Sequence, residues 1–132
     1  MTYKEILGQM YKTPAFIPFL GINITELDSG YCKGEMELKP EHLNPLGMAH
    51  GGCVFSLADT IGGLAAISHN PEATVVTVSS NINYLRPAEN TTKLVAQSRE
   101  IKYGSKVAVY EVNVTSDDGM LLASAVNNYF IL

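Results

Sequence analysis

The stretch from Cys53 to Ser68, CVFSLADTIGGLAAIS, decides the fold. It is the one long apolar run in the 132 residues, preceded by His50-Gly51-Gly52 and stopped by Asn70-Pro71, so it reads as a helix. Val54, Leu57, Ala58, Ile61, Leu64 and Ala65 fall on one face at helical spacing, and Phe55, Gly62, Gly63 and Ala66 fall on the other. A helix that is apolar on both faces is expected to be buried nearly all round. Between Glu41 and Glu72 the only formally charged residue, with histidine counted neutral, is Asp59 in the middle of this helix.

The flanks supply what buries it. On the N-terminal side, Gly21 to Asp28 and Tyr31 to Leu38 alternate apolar and polar residues about the turn signal Asp28-Ser29-Gly30, which predicts a hairpin. Before it, Ile6, Leu7 and Met10 recur at helical spacing within Tyr3 to Tyr11, and Pro14 follows, so residues 1–19 read as a helical N-terminal extension. After the helix come four strand-like segments: Thr74 to Leu85, Thr92 to Tyr103, Ser105 to Thr115 and Met120 to Leu132. In the first, strict alternation puts Val76, Val78, Ile82 and Tyr84 on one face and Thr77, Ser79, Asn81 and Asn83 on the other. The expected architecture is a single α+β domain over 1–132, one long helix packed on an antiparallel sheet of five to six strands.

Composition narrows the partners. Hydrophobic residues make up 46% of the chain and charged residues only 17%, with mean hydropathy +0.08, so part of the surface is expected to be covered by a second copy. Thirteen acids against nine bases give a net charge of −4, which argues against a nucleic-acid partner. Five of the nine bases, Arg86, Lys93, Arg99, Lys102 and Lys106, nevertheless fall within residues 86–106. Cys32 and Cys53 match no zinc spacing, and no metal constellation is visible. No stretch reads as a membrane span and no leader precedes the first helix, so no membrane partner and a cytoplasmic location with reduced thiols are expected.

Asp59 is the residue to explain. Aspartate is rarely buried unpaired, and no Lys or Arg lies within a helical turn of it. Either a nearby amide or hydroxyl satisfies it as a structural group, or it is a general base or nucleophile facing a crevice. Gly62 and Gly63, at i+3 and i+4, each cost about 1 kcal/mol in a helix interior and signal a close approach there. Gly51 and Gly52 stand at the positive end of the helix dipole, where free N–H groups bind an oxyanion. Cys53, at the same helix start, reads as a small buried hydrophobe more readily than as an activated nucleophile.

Asn44, Gly47, His50-Gly51-Gly52 and Leu57-Ala58-Asp59 resemble the loop-and-helix signature of hotdog-fold acyl-CoA thioesterases of the phenylacetate-degradation type. Val76-Thr77-Val78, Asn81, Asn83-Tyr84 and Arg86-Pro87 resemble that family's next strand, and Tyr103-Gly104-Ser105-Lys106 its later turn, so the resemblance covers residues 20–132. It implies a hotdog fold, in which a curved antiparallel sheet wraps a central helix. It further implies a homodimer or homotetramer with active sites at the interface, where the carboxylate of one subunit works with the glycine amide of its partner. By resemblance, Asp59 is the catalytic carboxylate, the Gly51 amide polarises the thioester carbonyl, and Asn44 orients water or the carbonyl. His50 is a supporting histidine, and Thr77 holds the water. One departure is Leu43, where the family often has histidine, with His42 one residue earlier.

The implied reaction is hydrolysis of an acyl-CoA to free acid and CoA, with no cofactor, since coenzyme A is part of the substrate. Gly52, Phe55, Met48, Tyr84, Gly104 and Ser105 are candidates to line the substrate site, and Arg86, Lys102 and Lys106 to hold the phosphates of coenzyme A. Two other readings stay open: a hotdog hydratase or dehydratase using His50 with Asp59, and a non-catalytic acyl-CoA binding protein.

Overall fold

His50 has extended backbone (φ −63°, ψ 136°) and its ring Nδ1 accepts the Gly52 N–H at 2.8 Å, so the central helix starts at Gly51, two residues before the apolar run. The computed structural model describes residues 2–12 and 15–132, and in it this helix is the third of three. The helices are α1 (Tyr3–Met10), α2 (Phe16–Leu20) and α3 (Gly51–His69); the strands are β1 (Ile22–Asp28), β2 (Tyr31–Glu37), β3 (Val75–Tyr84), β4 (Lys93–Tyr103), β5 (Val107–Ser116) and β6 (Leu121–Ile131). All six strands form one antiparallel sheet in the order β1-β2-β4-β5-β6-β3.

α3 connects β2 to the far edge strand β3 and touches all six strands, which is the wrapped-helix arrangement that the resemblance implies. Val54, Leu57, Ala58, Ile61, Leu64 and Ala65 are all buried, and on the opposite face Gly62 and Ala66 are buried too. Each fully buried Leu or Ile of this set contributes about 1.5–3 kcal/mol. α3 also has the length and mean hydropathy (1.3) of a membrane span, correcting the expectation that no stretch reaches one; here it is the core of a sheet-wrapped domain.

The N-terminal extension docks on β1. Ile6 is buried, and the Tyr11 hydroxyl donates to Ile22 O at 3.0 Å while accepting from Ile24 N at 2.9 Å. Pro14, the expected stop of the first helix, and the Met10 side chain lie outside the described residues. α2 is an addition to the expected elements: one short helix with Pro18 in its first turn, closed by Gly21 in the left-handed conformation (φ 76°).

β3 departs from strict alternation. Its register against β6 runs Val75↔Ile131, Val76↔Phe130, Thr77↔Tyr129, then Ser79↔Asn128, so Val78 is the extra residue of a bulge. The bulge puts Thr77 on the helix side together with Ile82 and Tyr84, and turns Val76 and Val78 outward at 43% and 56% exposure. The predicted grouping of Val76 and Val78 with Ile82 and Tyr84 is therefore wrong, because one added residue inverts a period-two pattern.

Candidate active site

Asp59 sits on the side of α3 facing β3 and β6. Thr77 and Tyr129 are cross-strand partners, and both side chains reach this carboxylate. The Thr77 hydroxyl donates to Asp59 Oδ1 at 2.9 Å and lies 3.2 Å from Oδ2. The Tyr129 hydroxyl is shared between Asp59 Oδ1 at 3.2 Å and the Asp59 main-chain carbonyl at 3.0 Å. Among the described residues no cation forms an ion pair with Asp59. Two hydroxyls therefore satisfy the carboxylate in part.

The first of the two glycines after Asp59, Gly62, is explained by the same neighbours. A Cβ on Gly62 would collide with the Tyr129 hydroxyl and stand 3.0 Å from Asn127 Nδ2. Asn127 is fully buried, donates from Nδ2 to Ala58 O at 3.3 Å, and accepts a short hydrogen bond from Ser80 through Oδ1. Of the close approach by a backbone or ligand expected at both glycines, the structure shows side chains of β6 at Gly62 and, at Gly63, room for a Cβ 3.7 Å from the Tyr129 ring.

At the other end of the helix, His50 uses the Gly52 amide for its own cap, so only the Gly51 amide is left without an acceptor among the described residues. The Gly51 carbonyl accepts from the Tyr84 hydroxyl at 2.9 Å, and a Cβ on Gly51 would press the Tyr84 ring at 3.3 Å. Asn44 Oδ1 accepts from Leu46 N at 2.9 Å and Met48 N at 3.1 Å, which commits the oxygen to holding the loop and leaves Nδ2 as a donor. Gly47 completes this turn at φ 80°. The His42 ring, buried, accepts Lys39 N at Nδ1 (3.0 Å), and the His42 carbonyl accepts His50 N at 2.8 Å, so His42 is a brace for the loop that delivers His50. Burial pushes the Cys53 thiol up, opposite to what nucleophilic activation requires.

These groups open into two cavities. One of about 300 Å³ is lined by Asn44, Met48, Gly51, Tyr84 and Arg86, with Val54 and Leu122 among its apolar walls. A second, of about 180 Å³, is lined by Asp59, Thr77, Ile17, Gly63, Leu64 and Ile67. The structure therefore separates the candidate set. Eight residues of helix put Asp59 about 12 Å along the axis from Gly51, and nine put it about 13 Å from His50. No His50–Asp59 pair of the kind a hydratase needs exists within one chain.

Phe55 and Gly52 line neither cavity. Arg86 lies at the amide end, where its Nη1 donates to Leu121 O at 2.8 Å. Tyr103 stacks on His69 with ring centroids 4.0 Å apart, so Lys102, Gly104, Ser105 and Lys106 stand at the opposite end of α3. Tyr129, Asn127 and Ile17 are the site residues that sequence reasoning missed. Gly62 was the available signal for Tyr129 and Asn127, whereas none marked Ile17.

Comparison with known proteins bears on this geometry. The family model of the thioesterase superfamily matches residues 46–123, a span that holds Gly51, Asp59, Thr77 and Tyr84. Human acyl-coenzyme A thioesterase 13 is 31% identical over 122 residues, covering 91% of this chain and 87% of its own length. The PaaI protein of the Escherichia coli phenylacetic acid degradation operon superposes with a TM-score of 0.89 at 26% identity, over 98% of this chain and 92% of its own. Streptococcus mutans smu.793, solved bound to acetyl CoA, superposes with a TM-score of 0.82 at 29% identity, over 92% and 96% of the two chains.

Proposed function

The chain belongs to the thioesterase superfamily and is a thioester hydrolase, and on that premise we propose that it hydrolyses acyl-CoA to free acid and CoA in a site shared by two copies of the chain. The observation that carries the reading is the Asp59 carboxylate, held by two hydroxyls at the edge of an apolar cavity and paired with no cation among the described residues.

Asp59 acts either as general base or as nucleophile. As a base it takes a proton from water while the water oxygen bonds to the thioester carbon. The negative charge that develops on the carbonyl oxygen is met by a Gly51 amide, a donor type worth about 10²–10³-fold. The C–S bond then breaks, and the CoA thiolate leaves and takes up the proton. A thiol with an ordinary pKa near 8.5 needs little help to leave. As a nucleophile, Asp59 instead bonds to the thioester carbon through a carboxylate oxygen, the C–S bond breaks to release the CoA thiolate, and water then cleaves the resulting anhydride to the free acid and the Asp59 carboxylate.

One carbonyl cannot be reached by a carboxylate and an amide about 12 Å apart on one helix, so the amide is that of a second copy. β3 supports this pairing: it is a ten-residue edge strand, hydrogen-bonded on one side by β6, and it carries exposed Val76 and Val78. An isologous pair of α3 helices running in opposite directions sets each Asp59 against the other copy's Gly51. Asn44 Nδ2, in the Gly51 cavity, donates to the carbonyl or to water. The apolar cavity beside Asp59 takes the acyl group. Arg86, together with the Lys102 and Lys106 end of the second copy, holds the CoA phosphates.

Release of free thiol from a panel of acyl-CoAs, including phenylacetyl, benzoyl and straight chains, tests the reading. Wild type is expected to turn over at least one member, and Asp59→Asn to lose about 10²-fold or more while still binding it. Equal rates in the two proteins, or binding without turnover in both, would overturn it.

A further inference from the structure

Thr77 has a candidate role by resemblance and Tyr129 has none, yet the placement of Tyr129 is the more demanding of the two. It is 1% exposed, it lies near the C-terminal end of β6, and its hydroxyl is delivered to Asp59 only because position 62 has no Cβ. Alanine at 62 would be about 1 kcal/mol better for the helix. The glycine therefore trades helix propensity for room at this hydroxyl. Burial, and then the Asp59 charge, push the Tyr129 phenol well above its usual value, so the group acts as a donor.

The two carboxylate oxygens are left unequal. Oδ1 accepts from both Thr77 (2.9 Å) and Tyr129 (3.2 Å), while Oδ2 has only the longer Thr77 contact at 3.2 Å. The second branch of the Tyr129 hydroxyl, to Asp59 O, ties the same side chain to the main chain of α3. We propose that Tyr129 is a positioning residue for the hydrolysis, fixing Asp59 Oδ1 from below so that Oδ2 faces the water or the thioester carbon. This inference rests on the functional reading above. Tyr129 touches no reacting atom, so its removal acts on the chemical step through Asp59 and leaves substrate binding in place.

The test uses the full chain and two variants. Tyr129→Phe deletes the hydroxyl and keeps the ring; Gly62→Ala keeps the hydroxyl and forces it away from Asp59. For the best acyl-CoA of the panel, kcat and KM are measured alongside the thermal midpoint of each protein. Both variants are expected to lose about 10- to 100-fold in kcat at nearly unchanged KM. Gly62→Ala is expected to do so without loss of helical signal. An unchanged kcat in Tyr129→Phe would overturn the proposal. So would a parallel loss of kcat, KM and thermal stability in both variants, which is the pattern of a merely structural tyrosine. A wild type that hydrolyses no member of the panel would instead remove the functional reading, and the positioning role with it, and that outcome is read on a different protein.

Discussion

Gly51 and Asp59 project from the same helix into different cavities, separated by about 12 Å of helix axis. In the proposed two-fold pair the amide and the carboxylate of one chain belong to two different sites. In a two-fold pair, mixing Asp59→Asn chains with chains that lack the Gly51 N–H leaves one intact site in every mixed pair. Random pairing of two inactive proteins is expected to recover about a quarter of wild-type activity. Thiol release after co-refolding measures this, and recovery of none would show that each site is built from a single chain.

Gly51 offers an unusually clean way to delete a main-chain donor. It is the first residue of α3, where proline is tolerated, and His50 before it already has the extended backbone that precedes proline. Gly51→Pro removes the N–H and is expected to lower kcat by about 10²–10³-fold with the helix intact. Gly51→Ala keeps the N–H and only presses the exposed Tyr84 ring, so its loss should be much smaller. Equal losses in the two variants would assign the effect to the Cβ and not to the amide.

His50 predicts a stability effect separable from chemistry. Its Nδ1 caps α3 at Gly52 N, so His50→Ala should cost about 1 kcal/mol in urea unfolding, and His50→Asn should recover most of it. A stability unchanged in His50→Ala would mean that water caps the helix equally well.

How far the chain could be read beforehand follows from the range of each signal. The α3 interior and all six strands are legible because hydrophobic period and turn residues are local. α2 is not, since five residues with a proline carry no period. The β3 bulge reversed the face of Thr77, yet the resemblance had already selected that residue, so chemistry was legible where geometry was misread. Tyr129 was invisible because a tyrosine on a strand reads as core until the β3–β6 register sets it opposite Thr77. The division of the candidate set between two cavities was implied only by the resemblance, because spacing along one helix does not say which residues share a site.

At the far end of α3, His69 makes a short hydrogen bond with Glu100, which also accepts from the Tyr110 hydroxyl at 2.7 Å. Burial pushes the Glu100 carboxyl up, but the hydrogen bonds from Tyr110 and His69, with the His69 charge, outweigh it and leave it below the ordinary value of 4.5. A carboxyl lowered in the folded state adds stability that is fully present above its unfolded value and is lost as pH falls through the folded one. Glu100→Gln should therefore be less stable than wild type near neutrality, with the gap closing below about pH 4.5. Because Glu100 is partly exposed, solvent keeps the gap modest. Urea midpoints at a series of pH values check it; a gap that widens on acidification would reverse the sign.

The cavity beside Asp59 predicts the acyl preference. Ile17, Leu64 and Ile67 line it, and no charged group other than Asp59 does, so an acyl chain ending in a carboxylate or an amine would be desolvated without a partner there. Open on one side, the cavity is expected to favour apolar acyl groups, phenyl-sized or medium-chain, over charged ones. Ile17 reaches this wall from α2, outside the segment 46–123 that the superfamily shares. On the proposed reading, the N-terminal extension therefore shares with Leu64 and Ile67 of α3 the wall that limits acyl length. Ile17→Ala is expected to move the optimum of kcat/KM toward longer acyl groups by about 10-fold or more, the scale of a few methylenes in an apolar pocket, with little change in kcat on short ones. A wild-type preference for acetyl or dicarboxylic acyl groups, or a chain-length profile that Ile17→Ala leaves unmoved, would place the acyl group in the Gly51 cavity instead.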